Sequence, residues 1–185
     1  MKKMALLLVS LMLMAVTALA EDFSADMAMT SQGQTTKAKV YMSGGKIRVE
    51  PADGSMIMIT RTDRKVVWMI MPQQKSYMET PLDDSGKPKV GEKVEGEISR
   101  KEVGSETIDG RKTTKFLVTV ATPEGQQQFH QWYASDFKMG VRTAALDGSW
   151  KEEYRNIKLG AQPASLFELP GGYSKMTVPQ GAHGM

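Results

Sequence analysis

From residue 23 onward the chain alternates apolar and polar positions with a period of two. Phe23, Ala25, Met27 and Met29 interleave with Ser24, Asp26, Ala28 and Thr30, and after the turn Ser31-Gln32-Gly33-Gln34 the residues Ala38, Val40 and Met42 interleave with Lys37, Lys39 and Tyr41. Such alternation is the signature of strands with one buried face. Gly44-Gly45 turns the chain into a short strand marked by Ile47 and Val49, and Pro51-Ala52-Asp53-Gly54 ends it. Two runs, Met56 to Ile59 and Val66 to Met71, are apolar on both faces and flank the polar loop Arg61-Thr62-Asp63-Arg64. A loop of that length sets Thr60 opposite Lys65 and Met56 opposite Met69. Met56, Met58, Val67, Met69 and Met71 then share one face, Ile57, Ile59, Trp68 and Ile70 the other, and both faces need cover. Pro72-Gln73-Gln74 leads into a sixth strand through Tyr77 and Met78.

Between Thr80 and Gly96 the composition turns to Asp, Gly, Pro, Lys and Glu, which reads as a long polar connection or flap. Longer strands follow at about 96–108, 111–122, 126–134, 138–146 and 149–159, with the hairpin signals Asp109-Gly110, Pro123-Glu124-Gly125 and Asp147-Gly148 between them. Only Pro163 to Leu169 has the look of a short helical turn. The expectation is a mainly β fold: about eleven antiparallel strands in hairpin succession, curled into an open, half-closed barrel with few short helices.

The first twenty residues are different in kind. Lys2 and Lys3 precede an uncharged apolar run, Met4 to Val16, then Thr17-Ala18-Leu19-Ala20 and the acids Glu21-Asp22. This is the plan of a secretory signal peptide, with a cut expected after Ala20. Met4 to Ala20 is too short to span a membrane comfortably, and no cysteine is present to carry a lipid anchor. The organisation expected is a leader at 1–20, one β domain over 21–178 and a flexible tail over 179–185, the mature product periplasmic or secreted without a transmembrane segment. Loss of Lys2 and Lys3 lowers the formal charge from +3 to +1, 22 basic residues against 21 acidic ones. With the basic stretch from Lys87 to Lys101 broken by Glu92, Glu95 and Glu97, nucleic acid is a poor partner.

Candidate chemistry is sparse. Zero cysteines exclude disulfides, thiol nucleophiles and cysteine-ligated metals, and two histidines make a histidine-rich metal site unpromising. His130 stands in a strand beside Phe129 and Trp132 with no visible triad, and reads as a partly exposed sheet histidine. Asp83-Asp84 and Glu152-Glu153 are neighbours that point to opposite faces of a strand, and read as solvated surface. No catalytic residue, cofactor or metal site of the usual donors is assigned, and an enzyme is the least expected class.

Methionine is the unusual component. Of 15 in the chain, 11 lie beyond Ala20, and eight of those (27, 29, 42, 56, 58, 69, 71 and 78) fall within the first six strands, three times in i, i+2 pairs that share a face. Three readings remain open for them: ordinary gap-filling in a core, a soft apolar cavity that adapts to variable ligands, and a Cu(I) or Ag(I) site built of thioethers. The candidate lining is Met27, Met29, Met56, Met58, Trp68, Met69 and Met71.

Several short segments resemble the periplasmic lipoprotein-carrier (LolA-like) superfamily. Phe23-Ser24-Ala25-Asp26 resembles its first strand, Gly45-Lys46-Ile47-Arg48-Val49-Glu50 its Gly/Arg strand, and Asp63-Arg64-Lys65-Val66-Val67-Trp68 its polar turn into an aromatic strand. Leu166-Phe167-Glu168-Leu169-Pro170-Gly171-Gly172-Tyr173 resembles its ending. The resemblance implies an eleven-stranded incomplete barrel whose concave apolar face shelters acyl chains under a helical lid. Two departures count against lipoprotein transfer itself: carriers begin with a helix where only Glu21 and Asp22 precede Phe23, and they carry an Arg-Pro pair where this chain has Ser43-Gly44-Gly45. The expectation is an uncharacterised relative that binds a lipid or other apolar ligand, lipoprotein acyl chains among them. The alternative is a structural or protein-interaction module of the envelope, with an envelope protein as partner.

Overall fold

A computed structural model describes residues 22–82, 93–94, 96–123 and 125–176. The expected leader (1–20), most of the polar connection after Thr80 (83–92 and 95) and the expected tail (179–185) lie outside the described residues. The strands are β1 (Phe23–Ser31), β2 (Gln34–Ser43), β3 (Lys46–Pro51), β4 (Ile57–Arg61), β5 (Val66–Met71), β6 (Ser76–Pro81), β7 (Glu97–Ile108), β8 (Arg111–Thr122), β9 (Gly125–Ala134), β10 (Met139–Ala145), β11 (Trp150–Leu159) and β12 (Ser174–Lys175). All twelve join one sheet in the order β12-β6-β5-β4-β3-β2-β1-β11-β10-β9-β8-β7. Eleven strands form two antiparallel meanders, β1 to β6 and β7 to β11, joined where β1 pairs with β11. β7 and β12 stand at the two ends of an unclosed sheet.

The sequence signals act locally as expected. Asp109 and Gly110 both take positive φ, 50° and 75°, the tight hairpin that an Asp-Gly pair favours. A 3-10 turn at Ala164–Phe167 falls within the segment that reads as helical. The twelfth strand goes beyond the expected eleven: β12 runs parallel to β6 and is too short to leave an alternation pattern. A second 3-10 turn, Pro72–Gln74, occupies the link before β6.

The register of the β4–β5 hairpin corrects the expected one by two residues. Arg61 lies opposite Val66 and Met58 opposite Met69, so the loop is Thr62 to Lys65 and Arg61 belongs to the strand. Side chains repeat every two residues along a strand, so a shift of two leaves every residue on its expected face. Arg61 can join the strand because its guanidinium is fully partnered there, as described below.

Two apolar clusters hold the sheet. One unites Phe23, Ala25, Val40 and Met42 of β1 and β2 with Ile108, Trp132, Ala134, Phe137, Val141 and Ile157 from the second meander. The rings of Phe23 and Phe137 meet edge to face with centroids 4.9 Å apart. Phe137 belongs to the β9–β10 turn, three strands from β1 in the sheet, so the sheet bends over the face that carries Phe23. β-bulges between Ser24 and Asp26 against β11, and between Gly140 and Arg142 against β9, supply local twist there. The second cluster unites Ile57, Ile59, Trp68 and Ile70 with Phe167 and, around them, Leu166, Leu169 and Tyr173 of the C-terminal segment.

A methionine-bearing face opposite a sealed one

From β1 to β6 every ladder pairs without a register shift, so cross-strand partners share a face throughout. One row runs Phe23, Met42, Ile47, Thr60, Val67, Thr80, and the next runs Ala25, Val40, Val49, Met58, Met69, Met78. A third begins Met27, Ala38, Pro51, and at the other side of the meander Met71 pairs with Ser76. Met29 and Thr36 follow. Met56, two residues before Met58, continues the same alternation. All eight methionines of this region therefore belong to one face.

That face is buried at one end and open at the other. Phe23, Ala25, Val40 and Met42 are within the first cluster, with Met27, Ile47 and Val49 packed against it. Farther on, Met69, Met71 and Met78 are half-buried, while Met29, Met56 and Met58 are 43%, 41% and 40% exposed. Ser76 Oγ, on the same face beside Met71, is buried and has no hydrogen-bond partner, the one such side-chain atom among the described residues.

The opposite face of β4 and β5 is shut. Ile59 and Ile70 have no exposure at all, and Phe167 of the C-terminal segment lies over them at 1%. Polar contacts fasten this strap. Arg61, buried in β4, donates to both carboxylate oxygens of Asp63 (2.8 and 2.7 Å), to the Phe167 carbonyl (2.9 Å) and to Glu168 Oε1 (2.7 Å). Arg48 donates to the Leu166 carbonyl at 3.1 Å, and Arg64 pairs with Glu168 at 3.1 Å. The guanidiniums of Arg61 and Arg64 lie 5.7 and 5.5 Å from the Trp68 ring. Hydrogen bonds from Arg61 hold the Asp63 carboxyl down at about 2, and hydrogen bonds with Asp63 raise Arg61 further above its already high value. β12 completes the strap through backbone bonds from Ser174 and Met176 to Lys75 and Tyr77 and a 2.6 Å pair between Lys175 and Glu79. Glu79 also accepts from the Trp68 indole at 2.9 Å, and the Lys175 and Trp68 hydrogen bonds lower its pKa.

The candidate lining thus divides. Met27, Met29, Met56, Met58, Met69 and Met71 are brought to one face, whereas Trp68 lies on the other, 4% exposed, under the strap. Met42 and Met78 lie outside that candidate set yet stand on the methionine face; the period-two pattern contains them both. Arg61 reads as a loop residue in the sequence, and nothing in its neighbourhood announces a contact with a carbonyl more than a hundred residues away.

The second meander carries a different chemistry. Glu153 corrects the reading of Glu152-Glu153 as solvated surface: its carboxylate is buried and receives Arg142 and Arg155. Burial pushes its pKa up, but the hydrogen bonds from Arg155 and Arg142 outweigh it and the net shift is downward. Arg142 also reaches Glu106 (2.8 Å), which accepts from the Trp132 indole at 2.8 Å, and Arg142 and Lys115 lie 5.1 and 4.8 Å from that ring. Arg142 and Glu153 are each met by opposite charge, which is how buried ions are tolerated. His130 is half-buried, and burial lowers its pKa. A groove of about 640 Å³ runs beside β1 and β2, lined by charged residues such as Asp26, Lys39 and Arg155 and also by Met27, Ala38 and Pro51. No group of three or more His, Asp or Glu able to hold a metal occurs among the described residues, and no described helix is long and apolar enough to cross a membrane.

By its fold the protein is in the class of open, mostly antiparallel β-sheets that do not close into a barrel, with one soft apolar face and a strapped reverse. The chain belongs to the family described as Domain of unknown function (DUF4412), whose model matches residues 24–140. No curated protein matches the sequence. Among solved structures it is similar to an uncharacterized conserved protein from Thermus thermophilus, at 14% identity and a TM-score of 0.58 over 85% of this chain and 91% of that one. It is also similar to a chain in the complex structure of Pseudomonas aeruginosa MucA/MucB, at 14% identity and a TM-score of 0.57 over 85% of this chain and 59% of that one. A crystal structure of MucB gives 14% identity and a TM-score of 0.56 over 82% of this chain and 58% of that one. The chain therefore spans less than two thirds of these last two. At such identity the likeness establishes the fold.

Proposed function

We propose that the protein is exported and binds a lipid, through its acyl chains, on the methionine-bearing face of β1 to β6, as a non-enzymatic carrier or holder in the cell envelope. One observation carries the reading: seven of the eight methionines on that face keep contact with solvent, while the reverse of β4 and β5 is sealed by the strap. A surface of unbranched, polarizable side chains re-packs around ligands of variable shape. An acyl chain burying a dozen methylenes gains about 10 kcal/mol. Association takes several kcal/mol of that, and only the surplus appears as affinity.

Gently purified protein, extracted and analysed by mass spectrometry, is expected to yield bound lipid, and the emptied protein to take up a fluorescent fatty acid. Met69→Lys, which puts a charge in the middle of the face, should weaken uptake at least tenfold with an unchanged circular dichroism spectrum. A clean protein that also ignores the probe would end this reading.

A second reading rests on β7. It is twelve residues long, ends the sheet, and exposes Ile98 and Val103 at 53% and 44%, features of an edge open to strand addition. An envelope protein pairing there would make this an interaction module. The MucA/MucB complex shows a chain of similar fold together with a partner. Light scattering at micromolar concentration separates the two, since a monomer filled with lipid speaks against the partner.

A further inference from the structure

We infer that Met58, Met69 and Met78 form a thioether site for a soft monovalent d10 cation, Cu(I) or Ag(I). The three residues are direct cross-strand partners on β4, β5 and β6, Met58 opposite Met69 and Met69 opposite Met78. Directly opposed residues hold their Cβ atoms about 4.5–5.5 Å apart, and a methionine has enough free torsions for its sulfur to cover that gap. Three neutral sulfurs on adjacent strands match what a soft cation seeks, and a monovalent ion needs no carboxylate to balance it. Met71 on β5 and Met56 before β4 stand one row farther along the same face, in position to add a donor. Harder ions have no comparable place among the described residues.

The residues on the two faces of the same strands argue against simple packing. Where β4 and β5 are sealed, the apolar side chains are Ile57, Ile59, Trp68 and Ile70; where the strands are open, three of the four are methionines, Met58, Met69 and Met71 beside Val67. Apolar cover alone asks for no sulfur. Partial exposure of Met58, Met69 and Met78 also leaves the ion a way in.

The inference does not rest on lipid binding, although both use one face: the cation titration reads one and lipid extraction reads the other. Leucine keeps the size and apolar character of methionine and removes the donor. The full chain, titrated anaerobically with Cu(I) against bicinchoninate and separately with Ag(I), is expected to bind one equivalent more tightly than micromolar. Met69→Leu, which removes the central sulfur, should weaken this at least 30-fold with an unchanged circular dichroism spectrum. Met58→Leu and Met78→Leu should each weaken it about tenfold, and Met176→Leu, off the face, should change nothing. In methyl NMR, Ag(I) should shift the ε-methyl signals of Met58, Met69 and Met78 first. Binding no tighter than micromolar, or full affinity in Met69→Leu, overturns the site and leaves the lipid reading standing.

Discussion

Strands β1 and β2 bury the face that carries Phe23, Val40 and Met42 and turn Asp26 and Lys39 outward, while β4 and β5 bury the reverse and leave their methionines half open. The ladders between these regions are continuous, so one sheet changes which side it hides within a few strands. The cause is what lies over each part. At β1 and β2 the bend of the sheet brings Phe137 and Trp132 across; at β4 and β5 the C-terminal strap arrives on the other side. The difference shows that an exposed apolar face need not be a packing failure. Its strands are held from behind, so the open face is free to be soft.

The comparison can be broken from either end. Phe23→Ala empties the joint between the two meanders and is expected to cost about 3–5 kcal/mol in urea denaturation, as for other buried aromatic truncations. Arg61→Ala should cost less, about 2–3 kcal/mol, since it orphans the Phe167 carbonyl and two carboxylates that can rehydrate. Its mark would be local: hydrogen exchange and proteolysis around Trp68 and Phe167 should rise while β1 and β2 stay protected. A loss of protection spread evenly over both regions would contradict the division between them.

Acid offers a gentler release of the strap. The Asp63 carboxyl is depressed to about 2 by Arg61, so its contribution is complete above the ordinary carboxylate range and disappears as pH falls toward 2. The Arg61 Nε proton signal, which reports its bond to Asp63, should follow that fall, and Asp63→Asn should flatten the response; an unaltered curve in the variant would mean that Asp63 has no part in the acid release. The smallest effect belongs to the open face. Met58→Leu, a swap of similar volume at a half-exposed position, is expected to change stability by less than about 1 kcal/mol. A larger loss would mean that Met58 is packing material.

Much of this is legible along the chain. The hairpin signals place β7 to β11 within a few residues, and period two assigns the methionines of the β4–β5 hairpin to their face even though its loop sits two residues from the expected place. What alternation cannot express is a contact between distant segments. Arg61 and Glu153 look like surface charges until a carbonyl or a pair of guanidiniums from elsewhere in the chain reaches them. Trp68 sorts with the methionines by its apolar bulk, but its partners are Glu79 and the strap. Nothing in two residues, Ser174 and Lys175, reveals a parallel strand.

The pairing of β1 with β11, Phe23 against Leu159 through Ser31 against Trp150, is the single seam between two meanders that are otherwise built from neighbours in sequence. Each meander can zip up hairpin by hairpin, but the seam must wait for the last long strand, and contacts between distant parts of a chain are the slow ones to form. The methionine face can be complete before β11 docks, while nothing from the second half of the chain yet covers Phe23. The order of the strands therefore sets a window in which the whole apolar face is bare, and it closes only when residues 97–159 fold onto β1.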